Sequence, residues 1–199
     1  MKNLTDMFSL TVPGRTVFYK GERDLNGIVM DELGMKRALM RISHEIIEKN
    51  ETTENLCVVG VERRGAELSQ IIAANLNSLG AAVQTGTIDV TDYRDDRDER
   101  ERCEIKKGAG LNFDVSGKTV IIVDDVIYTG RTARAALEAI LAAGRAKKIQ
   151  LAVLIDRGHR EVPIKPDFVG KNVPTAKSET IKVSVPPHEE KVQVEIIKG

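Results

Sequence analysis

The sequence is poor in cysteine, carries no net charge and contains no long apolar run. Its 199 residues include two cysteines, Cys57 and Cys103, and 30 basic residues balanced by 30 acidic ones. Two cysteines are too few for a disulfide framework, so we expect Cys57 in a core strand and Cys103 as an exposed thiol in a loop. Zero net charge gives no overall indication of nucleic-acid or membrane binding, and any basic surface must come from uneven charge distribution.

No apolar stretch is long enough to span a bilayer. The first ten residues carry Lys2 and Asp6 and lack a sustained apolar region, which is not the pattern of a signal peptide. We therefore expect a cytoplasmic protein. A hydrophobic content of 41% and a charged content of 30% are ordinary for a globular protein, and the length suits one domain.

Strands and helices alternate along most of the chain. Apolar, β-branched runs predict strands, and apolar residues at helical spacing predict helices between them. The predicted strands are 56–61, 83–90, 120–123 and 149–155, with late edge strands at 181–185 and 192–197, and the predicted helices are 34–49, 66–79 and 132–143. This alternation predicts an α/β fold with a mostly parallel sheet flanked by helices. In such sheets ligands bind beyond the carboxyl ends of the strands.

The segment 120–132, Val-Ile-Ile-Val-Asp-Asp-Val-Ile-Tyr-Thr-Gly-Arg-Thr, predicts an anion site. A buried strand should end at Asp124 and Asp125, and a short turn then leads into a helix. Free N–H groups and the dipole at a helix N-terminus favour a phosphate, and Gly130 lets the backbone approach it. Carboxylates beside a phosphate suit sugar hydroxyls or hydrated Mg²⁺. The simpler interpretation is a strand end followed by Thr132 as an ordinary N-cap.

Three other polar clusters follow predicted strands. They are Arg63-Arg64-Gly65, Asp92-Tyr93-Arg94 and Asp156-Arg157. Two arginines between a strand and a helix are typical of a second anion site, although a surface arginine pair is often only solvated. Because the carboxyl ends of parallel strands share one rim, we expect all four clusters to surround one site.

Basic residues are also spaced along the first predicted helix and after the strand at 149–155. Arg37, Arg41 and His44 share one helical face, for which a solvated charged surface is the ordinary explanation. If joined by later residues, this face would form a basic patch for RNA phosphates. The candidate RNA-binding residues are Arg37, Arg41, His44, Lys49, Arg160, Lys165 and Lys171.

The segment 120–132 resembles, without a gap, the phosphoribosyl-pyrophosphate (PRPP) signature of type I phosphoribosyltransferases. Stretches at 36–45, 89–96 and 149–178 are similar to bacterial pyrimidine operon regulatory proteins that are also uracil phosphoribosyltransferases. The resemblance covers residues 28–185. It implies a type I phosphoribosyltransferase fold with a flexible hood loop, transfer of phosphoribosyl from PRPP to uracil, and binding of pyrimidine-operon mRNA when the uridine nucleotides UMP and UTP are abundant.

The resemblance also implies roles for the predicted site residues. Asp124 and Asp125 would be catalytic, holding the ribose hydroxyls and helping to place Mg²⁺ that is bound mainly through PRPP. The other implied assignments are Tyr128, Thr129, Gly130, Arg131 and Thr132 for the 5′-phosphate, Arg63, Arg64 and Gly65 for pyrophosphate, Tyr93 and Arg94 in the hood, and Asp156 and Arg157 near the base. The expected division is an N-terminal extension at 1–27 and a phosphoribosyltransferase domain at 28–199, with the hood at 91–113.

The sequence departs from this family at two functional positions. Glu62 and Arg63 stand where the family commonly has Lys-Thr before Arg-Gly, and Met40 stands where it has a threonine associated with RNA contact. We expect a homodimer or a higher homo-oligomer, which would join two basic faces. A phosphoribosyltransferase without RNA binding, acting on another base such as orotate or hypoxanthine, stays open as the alternative.

Overall fold

The computed structural model describes residues 7–12, 15–20, 26–91 and 110–198. Within these ranges the chain forms ten strands and three helices. In chain order they are β1 (Met7–Val12), β2 (Arg15–Lys20), β3 (Asn26–Met30), α1 (Glu32–Lys49), β4 (Leu56–Val61), α2 (Arg64–Ser78), β5 (Gln84–Ile88), β6 (Thr119–Ile127), α3 (Arg131–Ala143), β7 (Lys148–Asp156), β8 (Phe168–Asn172), β9 (Glu179–Ser184) and β10 (Gln193–Lys198).

A five-stranded parallel sheet in the order β5-β4-β6-β7-β8 forms the centre of the molecule. Strand β6 lies in the middle, where Ile121 pairs with Val58 of β4 and Val123 pairs with Ala152 of β7. These residues are buried because helices cover both faces of the sheet, which explains why the strands have continuous apolar runs. The predicted α/β fold with a mostly parallel sheet is confirmed.

Helices α1 and α2 cover one face of the sheet, and α3 covers the other. The apolar stripe of α1, including Leu39 and Ile42, packs in one core with Ile72 of α2 and Ile121 of β6. Side chains that alternate with these along β6 point to the second core, where the alanine-rich face of α3 packs. The small side chains of α3 let this helix lie close to the sheet, and its N-terminus reaches the carboxyl end of β6.

Strand β6 extends further than the sequence predicted. It runs through the acidic pair to Ile127, because Val126 and Ile127 continue the parallel pairing with β7. The prediction that Asp124 and Asp125 end the strand is therefore wrong. Both residues lie in the last paired part of the strand, so this pairing fixes their backbone before the turn at 128–132 begins.

The late strands are also arranged differently from the prediction. β9 and β10 do not extend the parallel sheet but pair with β3 in a three-stranded antiparallel sheet of order β3-β10-β9. Buried residues of this sheet, Ile181, Val183 and Val194, join the core beneath α1 and α2. The edge of the parallel sheet is instead β8, a short strand that follows Pro163 and Pro166.

The other predictions concern the cysteines, the hood and the domain boundary. Cys57 is buried in β4 as predicted, and burial raises the pKa of its thiol to about 11. Strands β1 and β2 pair with each other in antiparallel orientation. Cys103 and most of the predicted hood lie outside the described residues, and the domain boundary at residue 27 stays a prediction. Among the helices described here, none is both long and apolar enough to cross a bilayer.

Candidate active site

A cleft of about 540 Å³ opens at the carboxyl ends of β4, β5 and β6. It brings together two of the four predicted clusters, through Arg63 and the acidic pair, whereas Asp156-Arg157 does not line it and 92–94 lie outside the described residues. The cleft is lined by Val61, Glu62, Arg63, Asp89, Val90, Thr91, Asp124, Asp125, Val126 and Thr132. One arginine of the loop before α2, both members of the acidic pair and the start of α3 therefore face the same space.

The two carboxyls of the acidic pair accept hydrogen bonds from the backbone of the strand. The Asp125 backbone N–H donates to Asp124 Oδ1 at 2.9 Å, and the Val126 N–H donates to Asp125 Oδ1 at 2.8 Å. Burial, with added repulsion from Asp125, raises the pKa of Asp124 well above its ordinary value. Burial also raises the pKa of Asp125, although the Val126 N–H and the positive charge of Arg64 oppose this. Such a pair gains from hydroxyl donors or a cation, which compensate its charge.

The turn at 128–132 leads into the N-terminus of α3 and is the candidate anion cradle. Gly130, with φ of 88°, is the N-cap of α3, so the simpler interpretation of Thr132 as the N-cap is wrong, and Thr132 lines the cleft instead. The Thr129 carbonyl accepts the N–H groups of Glu161 at 2.9 Å and Val162 at 3.2 Å. These bonds hold the turn against the chain that follows β7. The N–H groups in the first turn of α3 and its dipole favour an anion here.

Arg160 supports this turn from behind. Its Nη1 donates to the Tyr128 carbonyl at 2.9 Å, its Nη2 to Asp156 Oδ2 at 2.6 Å and its Nε to the Ile164 carbonyl at 2.9 Å. Asp156 also accepts the Gly158 N–H at 2.9 Å. The guanidinium group predicted as an RNA contact is thus engaged by other groups of the protein.

Arg157 is buried and is likewise engaged by protein groups. Its Nε donates to Thr175 Oγ1 at 3.0 Å and its Nη2 to the Glu179 carbonyl at 2.6 Å. The guanidinium carbon lies 4.0 Å from the centre of the Tyr128 ring, a cation–π contact. His159 approaches the same ring edge-on, with centroids 5.9 Å apart. Arg157 therefore fixes the orientation of Tyr128 beside the cradle.

The two arginines at the start of α2 contact different parts of the protein. Arg63 has φ of 71° and ψ of −124°, is the N-cap of α2 and lines the cleft. The Arg64 guanidinium is directed to the Glu189 carboxylate in the β9–β10 loop. Gly65 permits a close approach of α2 to β6, since a Cβ there would be 2.7 Å from the Val123 carbonyl oxygen. Of this predicted trio, Arg63 faces the cleft and the other two support it.

Two cleft residues, Glu62 and Asp89, have no predicted ligand role, and a third, Thr91, is the first residue of the predicted hood. The Thr91 N–H donates to Asp89 Oδ1 at 2.8 Å. The predicted strand at 83–90 contains Asp89, but β5 ends at Ile88, which leaves Asp89 at the carboxyl end of the strand, where ligands bind. The predicted hood residues Tyr93 and Arg94 lie outside the described residues.

The basic face of α1 lies away from this cleft. Lys36, Arg37, Met40, Arg41 and His44 line a shallow groove of about 460 Å³. Three of the cationic RNA candidates, including Arg41 of the groove, donate hydrogen bonds to neighbouring strands or loops. Arg41 Nη2 donates to the Gly170 carbonyl at 2.6 Å, Lys171 Nζ to the Val29 carbonyl at 2.8 Å and Lys49 Nζ to Asp167 Oδ1 at 2.6 Å. Lys165 is exposed beyond β7.

Comparison with known proteins supports both the fold and the family. The family described as "Phosphoribosyl transferase domain" matches residues 28–190. The chain is 53% identical over 158 residues to the "Bifunctional protein PyrR" of Clostridioides difficile strain 630, covering 79% of this chain and 89% of that protein. It is 48% identical over 163 residues to the protein of that name from Clostridium novyi strain NT, covering 81% and 92%.

Solved structures show the same fold at much lower identity. The hypoxanthine phosphoribosyltransferase of Trypanosoma cruzi superposes with a TM-score of 0.68 at 16% identity, covering 86% of this chain and 95% of that one. A Staphylococcus aureus hypoxanthine phosphoribosyltransferase gives 0.61 at 18% identity, covering 74% and 77%. Identities this low are informative about fold alone, and the predicted type I phosphoribosyltransferase fold is confirmed.

Proposed function

This chain belongs to the phosphoribosyltransferase family, among the bifunctional PyrR proteins, and on that premise we propose that it has two functions. It transfers phosphoribosyl from PRPP to uracil, giving UMP and pyrophosphate, and it regulates pyrimidine biosynthesis genes by binding their mRNA in response to uridine nucleotides. The observation that carries the proposal is the cleft in which the acidic pair meets the N-terminus of α3. With nucleotides and mRNA as ligands, its place of action is the cytoplasm.

PRPP would extend across the cleft from α3 to the loop before α2. The 5′-phosphate binds at residues 128–132, where backbone N–H groups and threonine hydroxyls are the donors. Asp124 and Asp125 accept hydrogen bonds from the ribose hydroxyls, and Arg63 approaches the pyrophosphate. Pyrophosphate is already a good leaving group, so the protein contributes mainly by orienting the reactants and stabilising the charge that develops on the ribose.

The acidic pair fits a role for Mg²⁺ that is shared with the substrate. Mg²⁺ binds oxygen ligands such as carboxylates. Because burial disfavours the charged forms of Asp124 and Asp125, a bound cation would stabilise their negative charge. Within the described ranges, no group of three or more His, Cys, Asp or Glu side chains is placed to hold a metal by itself. The remaining ligands would be PRPP oxygens and water. Bound there, Mg²⁺ supplies positive charge beside the pyrophosphate.

The base would lie near Tyr128 and the chain after β7. The side chains of Asp156 and Arg157 make hydrogen bonds to other groups of the protein. In this proposal they therefore shape the base-binding region and do not contact the base themselves. The hood at 91–113, with Tyr93 and Arg94, would cover the cleft and exclude water, which limits hydrolysis of PRPP.

Measuring product formation from Mg²⁺-PRPP with each of three bases tests the transferase proposal. We expect UMP from uracil and little product from orotate or hypoxanthine. Preferential use of hypoxanthine or orotate would support the alternative of a phosphoribosyltransferase for another base. The absence of product with all three bases would contradict the proposed transferase function.

The RNA function is tested by replacing Arg37 with alanine. Arg37 lies on the exposed face of α1, away from the catalytic cleft, so UMP synthesis should be unaffected. Affinity for a pyrimidine-operon leader hairpin should fall, and its dependence on log salt should weaken by about one unit, because one fewer phosphate is neutralised. Filter binding at several salt concentrations, with and without UMP, measures both quantities.

Arg145→Ala is the matched control for this experiment. Arg145 is equally exposed but follows α3, far along the chain from the α1 face. Its removal changes the net charge by the same amount and should leave RNA affinity nearly unchanged. If the parent shows no UMP-enhanced RNA binding, the chain is an enzyme alone, in line with Met40 in place of the family threonine. A homodimer or higher homo-oligomer, which we also propose, would present two α1 faces to one RNA.

A further inference from the structure

Arg64 connects the acidic pair to the β9–β10 loop. Its Nη2 donates to Glu189 Oε1, and its positive charge also acts on Asp125. The second Glu189 oxygen accepts the Val185 N–H at 3.2 Å, and the Glu189 N–H donates to the Val185 carbonyl at 3.2 Å. Hydrogen bonds within the loop therefore hold the Glu189 carboxylate in place independently of Arg64. Glu189 is a fixed partner for the Arg64 guanidinium.

A second side-chain contact joins the same two segments one helical turn later. His188 Nε2 lies 3.3 Å from Glu67 Oε1, which is in the first turn of α2. The β9–β10 loop thus contacts α2 at two successive positions on its outer side. On its inner side, Gly65 brings the helix close to the Val123 carbonyl. The start of α2 is held from both directions.

The residue immediately before these contacts has an unfavourable backbone. Arg63 has a positive φ although it is not glycine, and its side chain makes no cap bond to α2. Non-glycine residues keep such conformations only where their surroundings impose them. The same residue lines the cleft together with Thr132 at the start of α3.

We propose that Glu189 is a positioning residue for pyrophosphate binding. By holding Arg64, Glu189 fixes the first residue of α2 and thereby keeps Arg63 in its strained conformation facing the cleft. The β9–β10 loop, which contributes none of the cleft-lining residues described above, becomes part of the PRPP-binding machinery. This inference rests on the proposed function, since it assigns Arg63 to the pyrophosphate half of PRPP.

Glu189→Gln tests this role, because glutamine keeps the size of the side chain and removes its charge. We expect KM for PRPP to rise about tenfold, at the lower end of the effect of losing a charged hydrogen bond. Inhibition by pyrophosphate should weaken in parallel, while KM for uracil should change little. Glu190→Gln is the control, because Glu190 is the adjacent exposed residue of the same loop. Glu189→Asp keeps the charge and should restore part of the PRPP affinity.

Calorimetric titration of the variants with Mg²⁺-pyrophosphate separates this inference from the proposed function. The titration measures pyrophosphate binding without any transfer reaction. If the parent makes no UMP, the proposed function is overturned, but the titration still tests the role of Glu189. Equal pyrophosphate affinity in folded Glu189→Gln and Glu190→Gln would overturn the inference. So would equal rises in KM for PRPP and uracil together with a lower melting temperature, since these would indicate a general structural role.

Discussion

Replacing both Asp124 and Asp125 by asparagine should lower UMP synthesis about 100-fold or more, the size of effect seen when a preorganised electrostatic group is removed. Asparagine keeps the volume of each side chain but cannot supply the negative charge that orients the ribose and its cation. The fold should stay intact, because both residues face the cleft and their backbone is fixed by the pairing of β6 with β7. Steady-state assays at saturating Mg²⁺ measure this loss, and full activity of the double variant would contradict the site assignment.

The same variant should be more stable than the parent at neutral and alkaline pH. The pKa of Asp124 is raised in the folded protein by burial and by Asp125, so ionisation of Asp124 disfavours the folded state. Below the ordinary aspartate pKa of roughly 3.9, the carboxyl is protonated in both states and the charge has no effect. As the pH rises from there through the raised pKa, the parent progressively loses stability and the asparagine variant does not. The difference in melting temperature should therefore grow with pH.

Asp114→Asn is the control because its pH dependence should have the opposite sign. Hydrogen bonds from Ser116 lower the pKa of Asp114, so its charged form favours folding. That contribution is present above the ordinary aspartate pKa and disappears as the pH falls through the lowered value, so Asp114→Asn should be the less stable protein at neutral pH. Melting curves for both variants, recorded in EDTA without PRPP, test the two signs together. A double variant that is less stable than the parent at pH 8 would show that the acidic pair supports the fold.

Local sequence patterns were sufficient to predict the parallel sheet and one half of the site. Strand β6 and helix α3 each carry their full pattern within one segment, and the turn between them contains the residues that an anion site needs. The acidic pair was placed at a strand end because a polar pair normally ends a buried run. That boundary was wrong because pairing with β7 continues beyond it, and the partner strand is not visible in a local pattern.

The parts that depend on distant partners were not predictable. β3 and β10 pair although they lie far apart in the sequence, so neither segment alone indicates the antiparallel sheet. Arg64 and Glu189 are separated by 125 positions, and Arg160 reaches Tyr128 across 32. Charge can be read from sequence, but whether it faces solvent, a ligand or a buried carbonyl depends on the fold. For this reason the sequence alone does not show that Arg157 and Arg160 make internal contacts beside the turn at 128–132.

Gly130→Val should abolish PRPP binding while the protein stays folded. The φ of 88° at this position is unfavourable for any L side chain, and a Cβ would lie 2.8 Å from Val162 Cγ2. Valine would therefore strain the turn and push it away from the segment that holds it through the Thr129 carbonyl. The N–H groups of the turn would no longer converge on the 5′-phosphate. Calorimetry with Mg²⁺-PRPP should detect no binding.

Gly80→Val is the control for Gly130→Val, because it introduces the same backbone strain without changing the turn at 128–132. Gly80 has φ of 89°, nearly the same as Gly130, but it follows α2, and a Cβ there would meet no described heavy atom within 4 Å. Both variants should lose roughly 1–2 kcal/mol of folding free energy from the left-handed conformation, with a further loss at Gly130 from the contact with Val162. Only the Gly130 variant should lose PRPP affinity, because only its turn lies at the N-terminus of α3 beside Asp124 and Asp125. Unchanged PRPP affinity in a folded Gly130→Val protein would contradict the assignment of this turn to the 5′-phosphate.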